Sequence, residues 1–262
     1  MKIATWNVNS VRKRTGNLVA WLEQARPDVV VLQEIKAQEA QFPRLEIEAA
    51  GYRVEIVGQK GFNGVAMLSL HPIEIVARAL PDPAEDEPAR YIEGRVATSK
   101  GPLSVGGLYL PNGNPIGTDK FTYKLAWMER LNRRARELLA RDEMFVLGGD
   151  YNVCPTEMDV YDPKAFANDA LCQPQSRAAL RSLLNLGLTD AVRAFNLDTP
   201  CYTFWDYQAG AWAKNWGLRI DHLLLSPQAA DHLTGAGIDK PERGRPDPSD
   251  HVPVWCELDL AT

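Results

Sequence analysis

Short apolar runs rich in β-branched residues recur along the chain, at 3–6, 29–32, 52–57, 65–70, 103–110, 144–147, 220–225 and 252–258. Runs of this kind between turn signals read as strands. At 119–141 the period changes. Phe121, Leu125, Met128, Leu131 and Leu138 recur at three- and four-residue steps, with Ala135 filling the gap, which predicts an amphipathic helix carrying its arginines on the outer side. Adjacent strands outnumber helical patterns, so a mixed sheet arrangement is expected in preference to a doubly wound parallel sheet. The Pro-rich acidic segment 81–88 reads as an exposed loop. Neither a low-complexity linker nor a short repeat divides the chain, which predicts a single domain over residues 1–262.

Composition narrows the class. The chain has 262 residues, 45% of them hydrophobic, with 29 Lys and Arg against 34 Asp and Glu for a formal net charge of −5. Such a chain is long enough to bury a large core, and disorder, collagen and a disulfide miniature are excluded. No apolar run approaches the ~20 residues of a membrane helix, so no membrane partner is expected. The N-terminus enters a strand pattern without a basic leader and apolar stretch. Cys154, Cys172, Cys201 and Cys256 are far apart and lack CxxC spacing. A reduced, cytoplasmic protein is expected. The net acidity argues against coating nucleic acid by charge alone. Asp82, Glu85, Asp86 and Glu87 place part of that acidity in one loop, and basic groups cluster at 12–14, at Arg130, Arg133, Arg134 and Arg136, and at Arg243 and Arg245. Each basic group alone reads as a solvated face.

Several predicted strands end in acids or amides: Asn7 and Asn9, Glu34, Asp150 and Asn152, Asp221, and Asp250 followed by His251. Any one of these reads first as a turn signal. Together they would gather four carboxylates with one histidine at a sheet rim, an arrangement that is costly unless a cation or proton offsets the charge. Oxygen-rich donors suit a hard cation, which points to Mg²⁺, with Mn²⁺ as substitute, and away from zinc.

The segments TWNVNS, LQEIK, LYLPNG, GGDYNV, GLRIDHLL and SDHVPV, in this order across residues 3–256, resemble the bacterial exonuclease III family of abasic-site endonucleases and the wider endonuclease/exonuclease/phosphatase superfamily. The resemblance implies an α/β fold, a four-layered sandwich of two mixed β-sheets packed face to face with helices outside. It implies a DNA repair enzyme that hydrolyses the phosphodiester 5′ to an abasic site in duplex DNA, leaving a 3′-OH and a 5′-deoxyribose phosphate. It also implies 3′→5′ exonuclease activity and cleaning of blocked 3′ ends.

Residue by residue, the resemblance makes Glu34 the principal metal ligand, with Asn7, Asp150, Asn152, Asp250 and His251 around the ion. His251 matches the catalytic histidine and Asp221 the acid bonded to it. Asp150 matches the residue that positions or deprotonates the attacking water, and the sequence leaves open whether Asp150 or His251 holds the proton. Asn152 and Tyr109 match phosphate-directed catalytic groups, and Asn112 a DNA phosphate contact. Phe204, Leu218 and Ile220 match the lining of a small apolar pocket for an extrahelical, base-free deoxyribose. Such a pocket would select by excluding a base. Arg219, with Lys214 and the basic clusters, would supply phosphate contacts. Asn9 stands where some relatives carry Asp near the metal. The aromatic stretch 202–216 reads equally as satellite core packing or as this pocket. A monomer acting on double-stranded DNA is expected. The rival readings are a metal-dependent phosphatase or phosphodiesterase on inositol phosphates or sphingolipid head groups, and a DNA-binding scaffold that has lost catalysis.

Overall fold

A computed structural model describes residues 1–82 and 88–262. The acidic loop expected at 81–88 therefore lies mostly outside the described residues. In chain order the first half forms β1 (Lys2–Asn7), α1 (Val11–Ala25), β2 (Val29–Gln33), α2 (Arg44–Ala49), β3 (Arg53–Val57), β4 (Val65–Ser69), β5 (Ile73–Ala77), β6 (Tyr91–Thr98) and β7 (Gly101–Tyr109). The second half forms α3 (Asp119–Ala140), β8 (Met144–Asp150), α4 (Pro174–Leu184), β9 (Thr189–Asp190), α5 (Ala191–Phe195), α6 (Ala211–Lys214), β10 (Asp221–Leu225), α7 (Pro227–Ala230), β11 (Leu233–Ile238) and β12 (Val254–Leu258).

The strands make two mixed six-stranded sheets, ordered β11-β12-β1-β2-β4-β3 and β5-β6-β7-β8-β10-β9. Side chains alternate along each strand. Ile3, Val31, Val105, Val146, Leu223 and Val254 fill the space between the sheets. Their neighbours point outward: Ala4, Val30 and Leu32 pack against Leu18, Trp21 and Leu22 of α1. On the other side, Phe145, Leu147 and Leu224 pack against Trp127, Leu131 and Leu138 of α3 and against Leu180 and Leu183 of α4. Central strands thus bury both faces, which is why they read as continuous apolar runs. The expected four-layered sandwich is what the chain forms.

Two readings of α3 need correction. Arg134 does not lie on the outer side; three residues after Leu131 and four before Leu138, it falls on the buried face, where it is 8% exposed and paired with Glu93 at 2.6 Å. Arg130 reaches the main chain of Leu80 and Pro81.

Registers set the functional rim. Parallel pairing aligns Asn7 with Gln33, and Tyr109 with Asp150, while antiparallel pairing aligns Asp150 with Asp221. The ends of β1, β2, β7 and β8 therefore meet the starts of β10 and β12 at one edge of the sandwich. Gly149 is required there: a Cβ would lie 1.9 Å from the Leu108 carbonyl oxygen, so any side chain would part β7 from β8 beside Asp150.

Candidate active site

Where β1, β2 and β8 end, the Asn7 amide donates to Glu34 Oε1 at 2.9 Å and to Asp150 Oδ2 at 3.0 Å. Glu34, Asp150 and His251 each offer a ligand atom, and these atoms lie within 4.8 Å of one another. Glu34, Asn9, Lys36 and Asn152 all have positive φ, a conformation that is costly for these residues and is held by the surrounding structure. The rim loops are thereby bent so that the polar side chains face inward.

His251 stands between two carboxylates. Its Nδ1 lies 2.8 Å from Asp221 Oδ2, and its Nε2 lies 3.8 Å from Asp150 Oδ2. Thr203 fixes this pair: its hydroxyl donates to Asp221 Oδ2 at 2.6 Å and accepts from the main-chain N–H groups of Ile220 and Asp221. Burial alone would discharge the His251 ring, but Asp221 and Asp150 outweigh it and raise its pKa to about 10. Burial, reinforced by Asp221, holds the Asp150 carboxyl well above the ordinary carboxylate value despite His251. Burial also pushes Glu34 up, yet hydrogen bonds from Lys36 and Asn7 bring it below that value. Burial, with Glu34 and Asp150 nearby, raises the Tyr109 phenol.

The other expected site residues fall around this centre. Asn152 donates to the Leu110 carbonyl and accepts from Asn112 at 3.2 Å, joining the two amides beside the carboxylates. Asp250 accepts from Asn9 at 3.1 Å, while Lys36 bridges Asn9 Oδ1 at 2.6 Å and Glu34 Oε2 at 2.8 Å. Glu34 and Asp250 thus share the rim through Asn9 and Lys36. His222, the residue after Asp221, is buried with its Nε2 on the Val153 carbonyl at 2.9 Å. His71 pairs with Asp28.

Beside His251, with ring centroids 5.0 Å apart, Phe204 opens a cavity of about 420 Å³ whose walls include Leu218, Leu171, Tyr161, Trp216 and Phe166. Ile220 stands in the apolar cluster behind the cavity and is 2% exposed, so it supports the wall without lining it. Asn112, Asn114, Asp169, Asp206 and Gln208 also face the cavity. It is roomier and more polar than the small apolar pocket expected. Sites of ~300–1,000 Å³ hold drug-sized ligands, so size alone does not exclude a base here. The aromatic stretch divides between both readings: Trp205 is buried against Trp212, whereas Phe204 and Trp216 line the cavity.

Arg219 overturns an expectation. Its guanidinium is 2% exposed and binds Asp159 Oδ1 at 2.6 Å and Asp190 Oδ2 at 2.7 Å, so it is structural and unavailable to a phosphate. Alternation explains this, since Arg219 and Asp221 share one face of the segment and both turn inward. Arg243 is likewise committed, to the Trp205 and Asp206 carbonyls. Arg12 and Lys13, at the rim, remain exposed.

Sequence reasoning missed three functional neighbours. Thr203 acts through contacts between distant segments, and nothing in its local sequence marks it; Lys36 ends the LQEIK segment, two residues after the Glu34 it pairs with, but its bond to Asn9 appears only in the fold. Lys124 projects from α3 with its Nζ donating to the Asn112 and Asn152 carbonyls at 3.0 and 2.5 Å, so a buried ammonium ties the two amide-bearing loops together. Burial lowers its pKa to about 8. Its place on an apolar face at helical spacing was the only signal.

A two-sheet sandwich with carboxylates, amides and a carboxylate-bound histidine on one rim is the architecture of a metal-assisted phosphoester hydrolase. The chain belongs to the endonuclease/exonuclease/phosphatase family, whose pattern matches residues 4–251. It is 32% identical to an exodeoxyribonuclease III of Haemophilus influenzae, over 98% of this chain and the whole of that protein. Its fold matches an AP endonuclease from Archaeoglobus fulgidus with a TM-score of 0.93, at 34% identity over 99% of each chain. It also matches the 3′ phosphatase NExo from Neisseria, solved with a product DNA hairpin, with a TM-score of 0.94 at 36% identity over 99% of each chain. Among the described residues no helix is long and apolar enough to cross a membrane.

Proposed function

We propose that this chain is a DNA repair hydrolase that cuts the phosphodiester 5′ to an abasic site in duplex DNA, leaving a 3′-OH and a 5′-deoxyribose phosphate. The observation that carries the reading is the junction of three features: the Glu34, Asp150 and His251 cluster, the His251–Asp221 pair, and a cavity opening directly beside that histidine. The oxygen-rich donors fit a hard divalent cation, so Mg²⁺, replaceable by Mn²⁺, is the proposed metal. Glu34 and Asp150 would hold it, with Asn7, Asn152, Asp250 and His251 around it. When bound, such an ion polarises a phosphoryl oxygen and offsets charge on the leaving 3′ oxygen.

The chain's own groups then have separable roles. Asp221 fixes the His251 tautomer and favours its charged form beside the phosphate. Asp150, in its ionised form, positions the attacking water and takes up its proton. Asn152 and Asn112 donate to phosphate oxygens without adding negative charge, and the Tyr109 phenol, kept neutral, donates as well. Phe204 and Leu218 receive the sugar. A cavity with room for a base beside that sugar also supports 3′→5′ exonuclease action on terminal nucleotides and removal of 3′ blocks. Every group in this scheme comes from one chain, which suits a monomer on double-stranded DNA, and four free cysteines suit the reduced cytoplasm.

The test is a labelled duplex containing one tetrahydrofuran abasic analogue, incubated with and without EDTA. A nick 5′ to the lesion bearing a 3′-OH, seen only while divalent metal is free, is expected. Hydrolysis of inositol phosphates with an intact duplex would transfer the assignment to the small-molecule phosphatases of the family.

A further inference from the structure

The apolar cluster behind the cavity wall holds two thiols. Cys154 is fully buried and Cys172 is 8% exposed, and both pack with Leu171, Leu218 and Ile220. A single free cysteine in such a cluster is an ordinary small apolar residue. Contact between the two is what carries the argument. The Cys154 N–H donates to the Leu171 carbonyl at 2.9 Å, which sets the two cysteines side by side, and the Cys154 S–H donates to Cys172 Sγ. The remaining cysteines lie elsewhere: Cys256 is in the core between the sheets, and Cys201 packs against that core.

The setting of Cys172 suits reaction. The hydrogen bond from Cys154 comes first in holding this thiol below its ordinary value, and Arg177 and Lys124 add to it against burial and Asp169. Reactive cysteines share this setting, partly exposed beside cations. Both thiols are also tethered to the site. Cys154 follows Asn152 by two residues, and Cys172 follows Leu171, which lines the cavity. Cys172 N–H donates to the Asp169 carbonyl at 3.0 Å, and the Asp169 carboxylate accepts from Asn114, another residue facing the cavity, at 3.0 Å.

We propose that Cys154 and Cys172 are an oxidation site: hydrogen peroxide converts them to a disulfide that displaces the Asn152 loop and the Leu171 wall and slows incision until a thiol reductant reverses it. First the Cys172 thiolate attacks one peroxide oxygen; the O–O bond breaks, a sulfenic acid forms, and the hydroxide released is protonated to water. The Cys154 sulfur then attacks the Cys172 sulfur. The S–O bond breaks, and the hydroxyl leaves with the Cys154 proton as a second water. The two sulfurs lose two electrons and the peroxide gains them. Bonded sulfurs lie closer than hydrogen-bonded ones, so both segments must move. A displacement of about 1 Å in a catalytic loop can cost ~10²-fold in rate. The proposal rests on the reading of the rim as a DNA-incising site.

The experiment treats the reduced full chain with hydrogen peroxide in EDTA and then removes the peroxide. Non-reducing peptide mass spectrometry is expected to show Cys154 joined to Cys172, and the intact mass to fall by two hydrogens. Incision of the tetrahydrofuran duplex with Mg²⁺ is expected to be at least roughly tenfold slower than before treatment, and dithiothreitol to restore it. Cys172→Ser is expected to cut at the wild-type rate both before and after treatment. A treated wild type that keeps both thiols free, or that carries the linked peptide and still cuts at its untreated rate, overturns the proposal. So does equal slowing of wild type and Cys172→Ser by peroxide. A reduced wild type that leaves the duplex uncut overturns the reading of the rim, while the linked peptide reports the disulfide independently of it.

Discussion

Asp221 shares one oxygen, Oδ2, between His251 Nδ1 and the Thr203 hydroxyl, while its other oxygen, Oδ1, is buried with no hydrogen-bond partner among the described residues. A carboxylate so placed can only accept, so it dictates that Nδ1 carries a proton. Asp221→Asn removes that constraint and can present an N–H to the ring. Its kcat is expected to fall by something on the order of 10² to 10⁴, with an unchanged melting temperature. Incision assays beside thermal melts check this; wild-type kcat in a folded variant would remove the His251–Asp221 pair from the mechanism. At this scale much of the site was legible. Glu34, Asp150 and His251 stand in dense local motifs, and acids at strand ends carry a cost that calls for a cation. Thr203 and Lys124 were not legible, because each acts by joining segments far apart in sequence, and Lys36, though inside the LQEIK segment, shows its bond to Asn9 only in the fold. Arg219 misled because its neighbours in the motif belong to the site while its own side chain turns into an ion-pair network.

That network binds elements together. Arg219 precedes β10 and pairs with Asp190 of β9 and with Asp159, which also pairs with Arg193 of α5 at 2.6 Å. Burial pushes both acids up, but Arg219, together with Thr156 and Arg193 at Asp159 and with His222 at Asp190, holds them below the ordinary carboxylate value. Their stabilising contribution is complete above the unfolded value of ~3.9 and is lost as pH falls through the lower native value. Arg219→Met leaves two buried acids short of a partner and is expected to cost ~3–5 kcal/mol at neutral pH. Urea unfolding from pH 3 to 7 should show a steep acid limb in wild type and a flatter one in the variant. Equal stability of the two proteins at pH 7 would contradict this. Among elements, strands buried on both faces announced themselves as apolar runs. The edge strands β5 and β11 did not: the first exposes alternate residues and the second carries Gly235 and Gly237. In β6, Glu93 and Arg95 interrupt the pattern because ion pairs to Arg134 and Glu143 compensate their charge.

Across the whole molecule, the two sheets bring strand ends from opposite halves of the chain to one rim. Strand order, which periodicity could not give, decides that Asn7 of β1 touches both Glu34 after β2 and Asp150 of β8 in the facing sheet. Gathering these acids would oppose folding in a bare sandwich, and a divalent cation offsets that cost. The most direct test is Mn²⁺ binding to wild type, Glu34→Gln and Asp150→Asn, followed by the loss of free-ion signal in electron paramagnetic resonance titrations without DNA. Wild type is expected to hold the ion, and each variant to bind it at least roughly tenfold more weakly. Undiminished Mn²⁺ binding by Glu34→Gln would contradict a cation held where the strand ends converge.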